Sequence, residues 1–194
     1  KVINANQIGM NILGGWQITV RACEIINSRD HGIHIGSIGG IARMPRFIDI
    51  TSCKINGTRE GQGISVCYGT EIKVSGNQVS NAYQAGIAAY YVNAIFPLEK
   101  LRITGNTIIN CASGKLSFMR GAISCFYGTS PKRRTSGRFT PVITGNKIES
   151  TTANGIWLYN CYAEDRAVVK DNIFKDVKLK DVVIVKAKSQ KKKK

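Results

Sequence analysis

Asp30, His31 and His34, with Arg29 before them and Arg59 and Glu60 in a later stretch, are the residues best suited to proton chemistry. A carboxylate or imidazole can serve as base or acid, and a guanidinium can neutralise charge that develops on a substrate. Asp30, His34, Arg59 and Glu60 are therefore the candidate catalytic set. It would suit elimination, by a base and a cation, or hydrolysis by two carboxylates. The plainer use is that Asp30 and Glu60 pair with Arg29 and Arg59 at the surface, which is worth little energy. Glu164 and Asp165 form a second adjacent carboxylate pair. Lys132, Arg133, Arg134 and Arg138 cluster in one stretch, and Arg43 and Arg46 in another. Guanidinium groups recognise carboxylates or sulfates with directed donors, although such a stretch can equally be a solvated basic loop. No nucleophile elbow, phosphate-binding glycine loop or metal-ligand spacing is present, so neither a cofactor nor a metal is expected.

These groups need a scaffold, and composition narrows its kind. The chain has 194 residues, enough for a sizeable core in one domain. Twenty Gly against four Pro suits many short strands and tight turns. The longest apolar stretches fall short of a membrane span, and no basic-then-apolar leader opens the chain. A start at Lys1 suggests a processed or excised piece of a longer protein. The formal net charge of +16 favours polyanionic partners: acidic polysaccharide, nucleic acid or anionic lipid. No nucleic-acid-binding module accompanies the charge, so no specific nucleic acid is expected. Six Cys show no CxxC pair, and most sit in apolar strand contexts. They read as buried free thiols, which suggests folding in a reducing compartment.

A segment recurs through the chain. It appears as Ile3-Asn4-Ala5-Asn6-Gln7-Ile8, Val20-Arg21-Ala22-Cys23-Glu24-Ile25, Ile50-Thr51-Ser52-Cys53-Lys54-Ile55 and Val74-Ser75-Gly76-Asn77-Gln78-Val79. It returns as Ile103-Thr104-Gly105-Asn106-Thr107-Ile108, Ile143-Thr144-Gly145-Asn146-Lys147-Ile148 and Val169-Lys170-Asp171-Asn172-Ile173-Phe174. The first copy precedes the second by an unusually short interval. A second element follows the others: Gly32-Ile33-His34-Ile35, Gly63-Ile64-Ser65-Val66, Gly86-Ile87-Ala88-Ala89, Gly121-Ala122-Ile123-Ser124-Cys125 and Gly155-Ile156-Trp157-Leu158. Asp181-Val182-Val183-Ile184 is its degenerate last version. Apolar residues alternate within each element, the strand period of two. One such unit cannot bury its own apolar face, but stacked copies share a core between parallel sheets. Asn at the same turn in successive coils can hydrogen-bond along the stack, with Cys23 and Cys53 joining the ladder.

This pattern resembles the right-handed β-helix repeats of the pectin-lyase-like superfamily, which includes polysaccharide lyases and hydrolases, epimerases and bacteriophage tailspikes. The expected fold is all-β: a single-stranded right-handed parallel β-helix, or solenoid, of about six to seven coils over residues 1–186. Residues 187–194 would form a basic, disordered tail. The resemblance implies that the Gly-Ile-x-Leu strands carry a sugar chain on their outer face. The outward row would then be His34, Ser65, Ala88, Ser124 and Trp157, with Gly36, Cys67, Tyr90, Phe126 and Tyr159 two residues further on. Adjacent rungs lie ~4.8 Å apart, so these aromatics can form a continuous stripe. Tyr90, Ser124, Phe126, Trp157 and Tyr159, with Arg133, Arg134 and Arg138 beside them, are the candidate substrate-binding residues. Three uses of the stripe stay open: burial beneath loops 91–100 and 127–141, a sugar platform, or a subunit interface.

The outward rows contain no Asp or Glu, and the paired-Asp, Gly-His-Gly signature of polygalacturonases is missing. The calcium carboxylates of pectate lyases also lack counterparts. The reading that follows is a β-helical segment of a phage tailspike or adhesin that binds, and can degrade, an anionic cell-surface polysaccharide. It would be a homotrimer or larger particle in the virion tail, assembled in the host cytoplasm. The alternatives are a free, extracellular polysaccharide lyase or glycoside hydrolase and a non-catalytic assembly protein.

Overall fold

The computed structural model describes residues 1–36, 44–91, 98–112, 120–127, 140–159 and 168–185. Among the described residues every regular element is a β-strand. Sheet I stacks Val2–Ile3, Glu24–Ser28, Lys54–Thr58, Gln78–Ala82, Thr107–Ile109, Lys147–Glu149 and Ile173–Lys175. Sheet II stacks Met10–Ile12, Ile33–Ile35, Ile64–Val66, Ile87–Tyr91, Gly121–Tyr127, Asn154–Tyr159 and Val182–Val185. Sheet III stacks Trp16–Arg21, Arg46–Thr51, Gly69–Ser75, Arg102–Thr104, Val142–Thr144 and Val168–Lys170, while Leu98–Glu99 also pairs with Gly69–Thr70. The chain visits I, II and III in turn, and every pairing is parallel, as in Ile33 against Ile64 and Ile103 against Ile143. Six full circuits and two strands of a seventh make this a parallel β-helix.

Its core is a set of aliphatic columns. Ile33, Ile64, Ile87, Ile123 and Ile156 stack on sheet II, facing Ile25, Ile55 and Ile148 of sheet I and Ile50, Ile103 and Ile143 of sheet III. β-branched residues suit this place because they are stiff at χ1 and pack against their equivalents above and below. Full burial of each contributes about 2 kcal/mol, so the columns supply the main driving force.

At the turn from sheet III to sheet I, Asn77, Asn106, Asn146 and Asn172 form the expected ladder. The amide oxygen of each accepts the backbone N–H of its counterpart in the preceding coil at 2.9–3.0 Å. Cys53 occupies the same slot, its backbone N–H donating to Asn77 and its thiol to the Val20 carbonyl at 3.7 Å. The copy beginning at Ile3 is a correction. Val2 pairs with Ile25 and Ile3 with Ile26, so Asn6 falls well past the ladder position and is exposed. Local similarity of six residues does not set register; the inward-facing aliphatics do.

The glycines before sheet II are required by close approach. A Cβ on Gly32 would lie 2.6 Å from the Gly63 carbonyl oxygen; one on Gly63 would overlap Val79 and lie 2.6 Å from that of Gly86. The column then passes through Ala122 rather than Gly121, because Gly121 pairs with Asn154. Beside Ala122 the coil stands further off, and a Cβ on Gly86 would keep 3.3 Å from its carbonyl. Gly63→Ala is therefore expected to cost about 3 kcal/mol by overpacking. Gly76→Ala, with nothing within 4 Å but a φ of +62°, should cost only about 1 kcal/mol from left-handed strain. Urea midpoints of the two variants, measured side by side, check this order.

Cys23, Cys53, Cys67, Cys111 and Cys125 are all free thiols, as expected, and Cys161 lies outside the described residues. No helix among the described residues is long and apolar enough to cross a membrane. Residues 187–194 also lie outside the described residues.

Candidate functional site

The outer face of sheet II has the expected register. His34, Ser65, Ala88, Ser124 and Trp157 lie rung on rung, and Tyr90, Phe126 and Tyr159 form the next row. Their neighbours Ile33, Ile64, Ile87, Ile123 and Ile156 belong to the core, whereas Ala88 packs separately with Ala85 and Tyr90 on the opposite side of the sheet. Outward does not mean exposed, however. The first row is buried throughout, Ser124 to 1% and Trp157 to 5% exposure, while Tyr90, Phe126 and Tyr159 are half-buried. Ser124 donates its hydroxyl to the carbonyl of Gly121 at 2.9 Å and accepts that residue's N–H at 3.1 Å. It is committed to its own strand, so the accessible aromatic surface of this face lies in the second row.

At one end of the face is a polar network. His34 Nδ1 lies 3.0 Å from Ser65 Oγ, Ser65 Oγ lies 3.1 Å from the Tyr90 hydroxyl, and Cys67 Sγ is 3.9 Å from His34 Nε2. His31 stacks on His34 with centroids 5.2 Å apart, accepts the Gln62 N–H at 3.2 Å and lies 3.2 Å from Asp30. Gln62 in turn donates to Gln84. Burial pushes both imidazoles down to about 4, so both are neutral near pH 7. Burial also raises Asp30, against the lowering pull of His34 and Arg29. Burial raises the Cys67 thiol and the Tyr90 phenol, which keeps both protonated at neutral pH. A protonated thiol beside a buried imidazole is a poor nucleophile. Through Ser65 the network fixes the position of the Tyr90 hydroxyl.

Of the candidate catalytic set, Asp30 and His34 meet in this network, and Arg59 and Glu60 are exposed at its rim. Glu60 pairs with Arg29 at 3.2 Å, both more than half exposed. For Glu60 that is the plainer surface pairing, although Asp30 turns to His31 instead.

At the other end is an aromatic stack. Phe126 and Tyr159 have centroids 5.2 Å apart with 17° between planes, and Trp157 lies 5.5 Å from Tyr159 and 6.4 Å from Phe126. The rungs impose this arrangement, since Ser124–Trp157 and Phe126–Tyr159 are paired positions of neighbouring strands. Parallel offset rings present flat apolar surface with a phenol at its edge, the chemistry that meets a sugar ring. Lys132, Arg133, Arg134, Arg138, Arg43, Glu164 and Asp165 lie outside the described residues. Arg46 begins a sheet III strand opposite Trp16 and Thr70, and so faces away from this surface rather than standing in a loop beside it.

Sequence reasoning missed a second feature, a groove of about 440 Å³ on the outside of sheet III. Its lining includes Phe47, Asp49, Lys73 and Arg102, residues that alternate with core aliphatics and so had the pattern of a merely solvated face.

A family model described as "Right handed beta helix region" matches residues 1–108, more than half of the chain, and the protein belongs to that family. No curated protein and no solved structure matches the chain.

Proposed function

We propose that this chain is a β-helical segment of a bacteriophage tailspike or similar adhesin that binds an anionic cell-surface polysaccharide along the outer face of sheet II. The observation that carries the reading is the aromatic stack of Phe126, Trp157 and Tyr159, aligned across rungs with two of its rings half-buried. Trp157 backs the platform, while Phe126, Tyr159 and Tyr90 meet the sugar. Arg133, Arg134 and Arg138 supply charge to acidic groups, and the net charge of +16 draws such a polymer in. In this reading the chain assembles as a homotrimer or larger particle in the virion tail.

Tyr159→Ala is expected to weaken binding of an acidic polysaccharide about tenfold, the worth of one stacked ring. Calorimetric titration of both proteins checks it, and equal affinities would remove the platform from the reading. The polar network gives a second, catalytic reading, with neutral His34 as the base. Incubation with the same polysaccharide is expected to yield no ultraviolet-absorbing unsaturated ends and no new reducing ends. Products that vanish in His34→Ala would replace adhesion by cleavage.

A further inference from the structure

Three columns of the β-helix repeat a left-handed backbone residue, and one of them is built from the wrong residue types. At the end of the sheet I strands the column runs Asn4, Asn27, Gly57, Asn81, Asn110, Ser150 and Asp176. Before the Asn ladder it runs Ala22, Ser52, Gly76, Gly105, Gly145 and Asp171, with Gly or Asp at four of the six places. Asn, Asp and Gly tolerate this conformation well. The third column, on sheet III, is Gln17, Phe47, Glu71 and Lys100, with φ between +51° and +57°. None of these types favours a left-handed backbone, and Phe is an outlier there, at about 1 kcal/mol or more of strain each. Backbone ease does not explain the choice, so the side chains must.

Those side chains meet a distinct surface. Phe47, Glu71 and Lys100 line the groove of about 440 Å³, together with Asp49, Lys73 and Arg102. Asp49, Lys73 and Arg102 are direct partners on successive rungs. Glu71 is already held by Lys100 at 2.6 Å, whereas neither Lys73 nor Arg102 joins an ion pair among the described residues. The groove thus offers two adjacent, exposed, uncommitted cations. At its rim Phe47, 45% exposed, meets Trp16, 65% exposed, edge to face at 6.3 Å. The two rings form a small aromatic patch open to a ligand at the groove's rim.

We infer that the outer groove of sheet III is a second glycan site, separate from the sheet II platform, that takes an acidic sugar unit. The uronate carboxylate lies between Arg102 and Lys73, Asp49 accepts a sugar hydroxyl, and the neighbouring sugar ring of the chain packs on Phe47 and Trp16, two to three rungs away. The Glu71–Lys100 pair forms the far wall. A neutral sugar makes neither charge-assisted bond to these cations, so the site favours an acidic unit by that difference.

The protein's two tryptophans separate the two sites. Trp16 is open at this groove, and Trp157 is buried behind the sheet II stack. In Trp157→Phe, titration with a linked uronic-acid tetrasaccharide should shift Trp16 emission saturably and reduce its quenching by iodide. Adding Arg102→Gln should weaken the response at least tenfold, and the carboxyl-reduced tetrasaccharide should give none. Unchanged Trp16 emission and quenching at millimolar uronate, or an equal response to the reduced sugar, overturns the inference. Should Trp157→Phe fail to fold, calorimetry of the unaltered protein against Arg102→Gln and Lys73→Gln decides it, since both residues are exposed. The reciprocal Trp16→Phe protein keeps only Trp157 and reports the sheet II platform, so either site can fail without the other.

Discussion

Acidification from pH 7 to pH 4 is expected to remove on the order of 5 kcal/mol of folding stability through His31 and His34. Both imidazoles are lowered to about 4 by burial, and His34 is lowered further by His31 stacked upon it. A histidine in the unfolded chain titrates near 6.5, so between about 6.5 and 4 the unfolded state binds protons that the folded state refuses. Stability is therefore complete above pH 6.5 and falls as the pH drops toward 4. Lowering a histidine's titration midpoint by one pH unit corresponds to about 1.36 kcal/mol, so each imidazole contributes about 3 kcal/mol at pH 4. Asp30 works the other way: its raised carboxyl takes up a proton more readily in the folded state and relieves part of the loss. Against a typical domain stability of about 5–15 kcal/mol the remainder is large. Urea unfolding at pH 7, 6, 5 and 4 measures it. The double variant His31→Gln/His34→Gln, less stable at pH 7, should lose much less between pH 6.5 and 4. Parallel pH curves for the two proteins would show that the pair does not control acid stability.

The coil order is legible in the sequence because two independent signals coincide. Aliphatics alternate with period two, and an Asn or Cys returns at the same place after each of them, as in Ile103-Thr104-Gly105-Asn106 and Ile143-Thr144-Gly145-Asn146. Where only one signal exists the register is lost. Ile3 to Ile8 imitates the motif, yet Val2 pairs with Ile25, because the core column outweighs a short resemblance. In the same way Gly121 looks like the column glycine until pairing assigns that place to Ala122. Direction within sheet II is legible from alternation, but exposure is not. Trp157 and Ser124 point away from the core and are buried all the same, since burial depends on everything packed around a residue and not on period. The groove on sheet III is hidden for a related reason. Phe47 and Glu71 give no sequence signal for a left-handed residue, so the kinks that shape that surface emerge only with the backbone.

Asn106→Ala is expected to cost about 4 kcal/mol or more, the largest effect of any single side chain on the turn. Asn106 is fully buried. Its amide nitrogen donates to the Val74 carbonyl at 2.9 Å and to Asn146 at 2.9 Å, and its oxygen accepts the Asn77 backbone N–H and side-chain amide at 3.0 Å. Truncation removes these bonds and leaves the Val74 carbonyl and the Asn77 N–H buried without water, at about 1–3 kcal/mol each. The coupled chain of amides polarises along the stack, so the loss should exceed that of an isolated bond. Cys53 supplies the opposite experiment. Its thiol makes only long contacts, 3.7 Å to Val20 and 3.4 Å to Thr51, where the ladder amides make short ones. The slot already fits an amide at Asn77, Asn106 and Asn146, so Cys53→Asn should extend the ladder by one rung and stabilise the fold by about 1 kcal/mol. Urea midpoints moving down for Asn106→Ala and up for Cys53→Asn would establish the ladder as an energetic unit. A Cys53→Asn protein less stable than the parent would show that the sulfur's volume, and not its weak hydrogen bonding, selects cysteine at that rung.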